Sequence, residues 1–143
     1  MKVSLVLASL MLCVWVSGCD SGPDLPPTVP VEGIVTLDGA PVADANVIFI
    51  AEQGTYNATG IAGPDGRFAM KAFDAKPGVV VGAYKVELSK TIVEAKSGGR
   101  EGETDVNLKF GLPRRYSTFT TSGLSIDVPE GGNKDVKFEL KSK

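Results

Sequence analysis

Histidine is absent from this 143-residue chain. That excludes Ser-His-Asp and Cys-His nucleophile pairs, histidine-ligated zinc or haem, and imidazole acid–base chemistry. Cysteine occurs twice, at Cys13 and Cys19, and the single tryptophan is Trp15. All three fall in the first nineteen residues, so the remainder has neither a thiol nor an indole. Positive charge is not in excess either: Lys and Arg number 15 against 17 Asp and Glu, a net charge of −2. Discarding residues 1–18 removes only Lys2 and leaves −3. A nucleic-acid binder draws much of its affinity from neutralising phosphates, and this balance offers no basic stripe for it.

What is present begins with a leader. Met1-Lys2 is a short positive start, and Val3 to Val16 is an apolar run broken only by Ser4 and Ser9. As a helix that run would be roughly 21 Å long at 1.5 Å per residue. The hydrocarbon core is roughly 30 Å thick, so a signal-peptide core is expected rather than a spanning helix. Val16-Ser17-Gly18-Cys19 follows: an aliphatic residue, two small ones that an extended protease cleft admits, and a thiol. This segment resembles the bacterial lipobox. The resemblance implies cleavage before Cys19, a thioether-linked diacylglyceryl group on its sulfur, and acylation (palmitate) of the new amino terminus. An ordinary secretory signal with an incidental cysteine is the alternative. One acyl chain binds a bilayer only marginally, at about 0.8 kcal/mol per CH₂, whereas two or three on one residue anchor stably. Asp20 resembles the inner-membrane retention signal of enterobacterial lipoproteins, and the choice of membrane stays open. The expected location is the cell envelope, facing the periplasm or the cell surface.

The segment 20–30 carries Pro23, Pro26, Pro27 and Pro30. Proline fixes φ and removes a donor, so helix and interior strand are disfavoured. Polyproline II at about 3.1 Å per residue would make it a tether of roughly 34 Å. The expected division is therefore 1–18 signal peptide, 19–30 anchor cysteine and tether, and 31–143 domain.

From Val31 onward the hydrophobic period is two, the mark of half-buried strands. Val136, Phe138 and Leu140 alternate with charged residues, and so do Tyr84, Val86 and Leu88. The same reading gives strands around Val31–Leu37, Val47–Ile50, Tyr56–Ala62, Phe68–Ala72 and Leu124–Val128. Asp38-Gly39, Asp65-Gly66 and Glu130-Gly-Gly-Asn133 supply turn chemistry between them. No helical period is evident, although Leu112 to Ser117 fits one short turn. The expectation is all-β: a seven-stranded sandwich, Ig-like in architecture, with Val31, Val35, Leu37, Val47, Phe49, Phe68, Met70, Tyr84, Val86, Leu88, Leu124, Ile126, Val128, Val136, Phe138 and Leu140 inside.

Gly33-Ile-Val-Thr-Leu-Asp-Gly-Ala-Pro-Val42, Ala45-Asn-Val-Ile-Phe49, Asp65-Gly-Arg-Phe68, Gly82-Ala-Tyr-Lys-Val86, Leu112-Pro-Arg-Arg-Tyr116 and Thr121-Ser-Gly-Leu124 occur in that order. Together they resemble the carboxypeptidase-regulatory-like domains, whose sandwich is transthyretin-like (prealbumin-like). With the lipobox and tether, the chain is similar to a group of small bacterial lipoproteins. The resemblance implies structural roles for Gly39, Gly66, Pro41 and Tyr84. Catalytic relatives such as hydroxyisourate hydrolase use histidines and a particular C-terminal tail, and this chain has neither.

Arg114, Arg115 and Tyr116 form the densest polar–aromatic cluster. Two guanidinium groups beside a phenol suit a carboxylate, phosphate, sulfate or sugar ligand. The competing reading is a surface crossover with Leu112 and Tyr116 packed and the arginines solvated. The segment 94–105 is glycine-rich but lacks the Lys-Ser/Thr end of a P-loop, and it reads as a loop. Asp38, Asp44, Asp65 and Asp74 lie near turns, where aspartate bonds its own backbone, and none has EF-hand spacing. Asn57-Ala-Thr59 matches a glycosylation sequon by chance. No cofactor or metal is expected. The expected function is non-catalytic: membrane attachment through Cys19 and contact with an envelope protein or surface polysaccharide, or structural support. The alternatives are a carbohydrate-binding module using Tyr56, Tyr116 and the two arginines, and an envelope hydrolase for which spacing singles out no catalytic pair.

Overall fold

The computed structural model describes residues 24–95 and 106–143; the leader, the lipobox and Cys19 lie outside them. The chain is all-β, with twelve strand segments among the described residues. In order these are β1 Thr28–Val29, β2 Val31–Leu37, β3 Ala40–Pro41, β4 Asn46–Ala51, β5 Ala58–Ile61, β6 Arg67–Ala69, β7 Val79–Val80, β8 Gly82–Ser89, β9 Thr91–Ala95 and β10 Val106–Phe110. A 3-10 turn at Arg114–Ser117 and a single helical turn, α1 Phe119–Ser122, precede β11 Ser125–Val128 and β12 Asn133–Leu140.

Two sheets share one core. The first has the antiparallel order β11-β8-β4-β5. In the second, β12 runs parallel to β2, while the other edge of β2 takes β6 along Glu32–Ile34 and β3 along Thr36–Leu37. Alternation decides which side chains face inward: along β8, Tyr84, Val86 and Leu88 are buried, and along β12, Val136, Phe138 and Leu140 are. The Phe49 ring of the first sheet meets Phe138 of the second edge-on at 6.1 Å. Phe138 in turn stacks on Phe68 of its own sheet at 5.7 Å, so the Phe49–Phe138 contact is the aromatic link between the layers.

The chain passes between the sheets through the β5–β6 connection. Thr59 and Lys71 exchange backbone hydrogen bonds at 2.8 and 2.9 Å, so the hairpin splays with one strand in each sheet. Gly60 permits that approach: a Cβ there would lie 2.7 Å from the Ala69 carbonyl oxygen and 2.8 Å from Met70 Sδ. The Asp38-Gly39 turn has φ of 50° and 88°, the doubly left-handed conformation of a tight hairpin.

Seven of the strands overlap those read from the sequence, and β1, β3, β7, β9 and β10 do not. Three of these are two-residue segments, too short to carry a period. The strands β9 and β10 flank the segment read as a loop and form a separate two-stranded hairpin. Every expected inward residue is in the core or packed on it; Leu37, Leu124 and Ile126 are the ones only partly buried. Val42, Ala45, Ala58, Ala62 and Val79 are buried as well, on short or irregular segments where alternation gives no signal.

Candidate functional site

The fold uses Leu112-Pro-Arg-Arg-Tyr116 to cap the sandwich at the end where β2 and β12 finish. Leu112 and Tyr116 are buried in the core. Pro113, with φ −55°, starts the 3-10 turn, and the Tyr116 N–H closes it on the Pro113 carbonyl at 3.1 Å. Ser117 Oγ donates to the Arg114 carbonyl at 2.6 Å, and Thr121 Oγ1 donates to the Arg115 carbonyl at 2.7 Å.

Three side chains converge on the end of β12. The Lys141 N–H donates to Tyr116 Oη at 3.0 Å, and Arg115 Nη2 donates both to Tyr116 Oη at 3.1 Å and to the Lys141 carbonyl. The Ser142 N–H donates to Asp38 Oδ1 at 3.2 Å, while the Asp38 N–H donates to the Leu140 carbonyl at 2.9 Å. The electrostatics follow from these bonds. Bonds from Ser142 hold the Asp38 carboxyl below its ordinary range, helped by the positive charges of Lys141 and Arg115. Lys141 and Arg115 likewise lower the Tyr116 phenol, because they donate to its oxygen. Tyr84 shifts the other way: burial raises it, and its hydroxyl donates to the Val80 carbonyl at 2.6 Å.

The candidate cluster is therefore divided. Arg115 and Tyr116 engage the C-terminal strand, and Arg115 lies over the Tyr116 ring at 4.7 Å. Arg114 turns the opposite way, over the Phe110 ring at 4.2 Å, and remains exposed. Tyr116 is 7 % exposed, which leaves little of its ring for a sugar to stack on. Tyr56 does not join it. It follows β4 at the Ala51 end, far along the strands from Lys141, and packs edge-on against Phe73 at 5.3 Å.

The turn aspartates have local partners. Asp65 Oδ1 accepts from the Arg67 N–H at 3.0 Å, and Asp74 pairs with Lys71 at 2.9 Å. Among the described residues no group of three or more Cys, Asp or Glu side chains is placed to hold a metal ion. Asn57 Oδ1 accepts from the Ala51 N–H at 3.0 Å. A groove of about 450 Å³ opens where the tether enters, between Thr28, Val31, Met70 and Pro77, with Glu32 and Lys76 on its rim.

One surface was not anticipated from the sequence. The β9–β10 hairpin continues from β8 beyond the core and leaves Val93, Leu108 and Phe110 more than half exposed. The alternation in Thr91-Ile-Val-Glu-Ala95 and Val106-Asn-Leu-Lys-Phe110 was the available signal.

No protein-family model and no curated protein matches the chain. Among solved structures, a 9R-lipoxygenase from Cyanothece PCC8801 is similar over 80% of this chain, at 11% identity and a TM-score of 0.39. The match spans 16% of that much longer protein, and a likeness this slight carries no argument about fold or function.

Proposed function

We propose that the protein is a non-catalytic lipoprotein of the bacterial cell envelope, held to a membrane through acylated Cys19. Its domain is a sandwich of the transthyretin-like kind, and it serves as an interaction or support module for an envelope protein or surface polymer. The observation that carries this reading is Val16-Ser17-Gly18-Cys19, set between an apolar run and a proline-rich segment.

Two features of the domain support it. The chain enters the fold at a fixed point: β1 pairs with β7, and Lys76 Nζ donates to the Pro26 carbonyl at 3.2 Å, so the proline-rich segment ends at one pole of the sandwich. The residues with the best chemical credentials, Arg115 and Tyr116, are engaged in closing the opposite pole.

The test is chemical and cellular together. The mature N-terminal peptide is expected to begin at Cys19, to carry acyl mass, and to fractionate with membranes. Cys19→Ala is expected to leave the leader uncleaved or to release the protein into the soluble fraction. An unacylated wild-type N-terminus overturns the reading.

A further inference from the structure

We propose that the outer edge of β12 is a self-pairing edge. Its occupant is β12 of a second copy of this chain, antiparallel to the first about a two-fold axis at Phe138. The inference goes beyond the lipoprotein reading and does not rest on it. Among the described residues β12 ends its sheet, with β2 as its only strand partner. It is also the longest edge of the two core sheets, eight residues against four each for β5 and β11. The β5 edge is closed besides, because Thr59 exchanges backbone bonds with Lys71.

The backbone of β12 is oriented for such a mate. The Leu140 carbonyl accepts from the Asp38 N–H at 2.9 Å, on the β2 side. Successive residues of a strand direct their backbone groups to opposite edges. Val136, Phe138 and Leu140 therefore bond toward β2, while Lys137 and Glu139 turn their N–H and carbonyl groups outward. Lys141 continues the outward set, since its N–H and carbonyl meet Tyr116 and Arg115 rather than β2. An edge that presents unpaired N–H and carbonyl groups is a template for another strand, and main-chain bonds rather than apolar area then supply the affinity. About the axis at Phe138, Lys137 of one copy and Glu139 of the other exchange both of theirs.

Charge selects both the occupant and the register. The outward side chains of this edge read Asp135, Lys137, Glu139 and Lys141, all exposed and alternating in sign. With the axis at Phe138, Lys137 faces Glu139 and Asp135 faces Lys141, so every pair is opposite in sign. With the axis at Lys137, that residue faces itself and Asp135 faces Glu139. With the axis at Glu139, that residue faces itself and Lys137 faces Lys141. Opposite charges directly across a strand pair stabilise it, and like charges destabilise it. An axis at Val136 pairs Asp135 with Lys137 but leaves Glu139 opposite Asn133. The edge is thus complementary to its own reverse, as an isologous contact requires. The bonds of Tyr116 and Arg115 to Lys141 end the pairing there, and Arg115 adds positive charge where Asp135 of the second copy arrives.

The test uses the full-length protein, co-expressed in two epitope-tagged forms. Intact cells are cross-linked with formaldehyde, and capture of one form through the tag of the other is measured at matched protein level. The wild type is expected to co-capture. Lys137→Glu and Glu139→Lys each set like charges opposite one another, and each is expected to lower capture about five-fold or more. The double reversal Lys137→Glu/Glu139→Lys is expected to restore most of it, because opposite signs face each other again. Lys85→Glu, exposed on the interior strand β8, controls for lysine number and net charge and should change nothing. No wild-type co-capture, or single reversals that pair as well as the wild type, overturns the inference. A double reversal no better than either single one also overturns it, since a different partner keeps its own charges fixed. Membrane fractionation of the same cells reads the lipoprotein proposal separately, so each can fail without the other.

Discussion

Among the described residues Asp38 and Asp74 are shifted on the acid side and Tyr84 and Tyr116 on the alkaline side, and the two tyrosines move in opposite directions. Asp38 accepts hydrogen bonds from Ser142, and those bonds lower the pKa of its carboxyl in the native state. A carboxyl with a depressed native pKa contributes stability above its unfolded value and loses it as pH falls through the native one. Asp38→Asn is therefore expected to flatten the loss of stability below about pH 4, where carboxylates titrate, measured as urea midpoints at successive pH values. The tyrosines govern the alkaline side. Tyr84 is raised by burial, so the unfolded chain ionises first and stability falls as pH rises past the ordinary phenol value. Tyr116 is lowered by the bonds it accepts, so the native chain ionises first and stability gains there. Tyr84→Phe should make the alkaline loss shallower and Tyr116→Phe should make it steeper, a contrast visible in thermal midpoints between pH 8 and 11. At neutral pH the two tyrosine variants should each lose about 1 kcal/mol for the hydrogen bond removed. Equal alkaline slopes for both variants would refute the assignment of opposite shifts.

At the scale of the elements, the crossing hairpin β5–β6 is the tightest point. Gly60→Ala puts a methyl group 2.7 Å from the Ala69 carbonyl oxygen, a backbone atom that cannot swing aside. Overpacking of this kind costs about 1–3 kcal/mol, and chemical denaturation of Gly60→Ala should show a loss in that range. Gly131→Ala, where an added Cβ meets nothing within 4 Å, should show almost none. This crossing also marks where sequence reading stops. The long strands β2, β4, β8 and β12 were legible because burial on one side imposes a period of two, and Asp38-Gly39 was legible because its φ values demand such residues. Which strands pair was not legible: the parallel β2–β12 contact joins segments about a hundred residues apart, and alternation says nothing of neighbours. The arm was missed although Val106-Asn-Leu-Lys-Phe110 alternates, because the reading sought buried strands and this apolar face is exposed. Of the candidate cluster, the packing of Leu112 and Tyr116 was readable as one of two options. The divergence of Arg114 toward Phe110 and Arg115 toward Lys141 was not, because Lys141 is distant in sequence.

On the scale of the whole molecule, the packed core and the largest exposed apolar side chains occupy different parts of one chain. No cysteine follows Cys19, so no disulfide within the sandwich holds its layers and their cohesion depends on side chains that touch both sheets. Phe138 is one of these, with Phe49 across the core at 6.1 Å and Phe68 beside it at 5.7 Å. Truncating a buried phenylalanine leaves a cavity and costs about 3–5 kcal/mol, a large share of the 5–15 kcal/mol that typical domains possess. The arm stands outside this arrangement. Leu108 is 60% exposed and its strand pairs only with β9, so Leu108→Ala removes little buried surface. Surface changes of that kind usually stay within about 0.5 kcal/mol. Phe138→Ala should accordingly shift the urea midpoint strongly, and Leu108→Ala should leave it nearly fixed. Hydrogen exchange should agree: the amides of β2, β8 and β12 should open only with global unfolding, and those of β9 and β10 should open at lower cost. If arm amides were protected as strongly as those of β8 in the monomer, the arm would be part of the core's cooperative unit. The separation of a rigid body from a free apolar face would then fail.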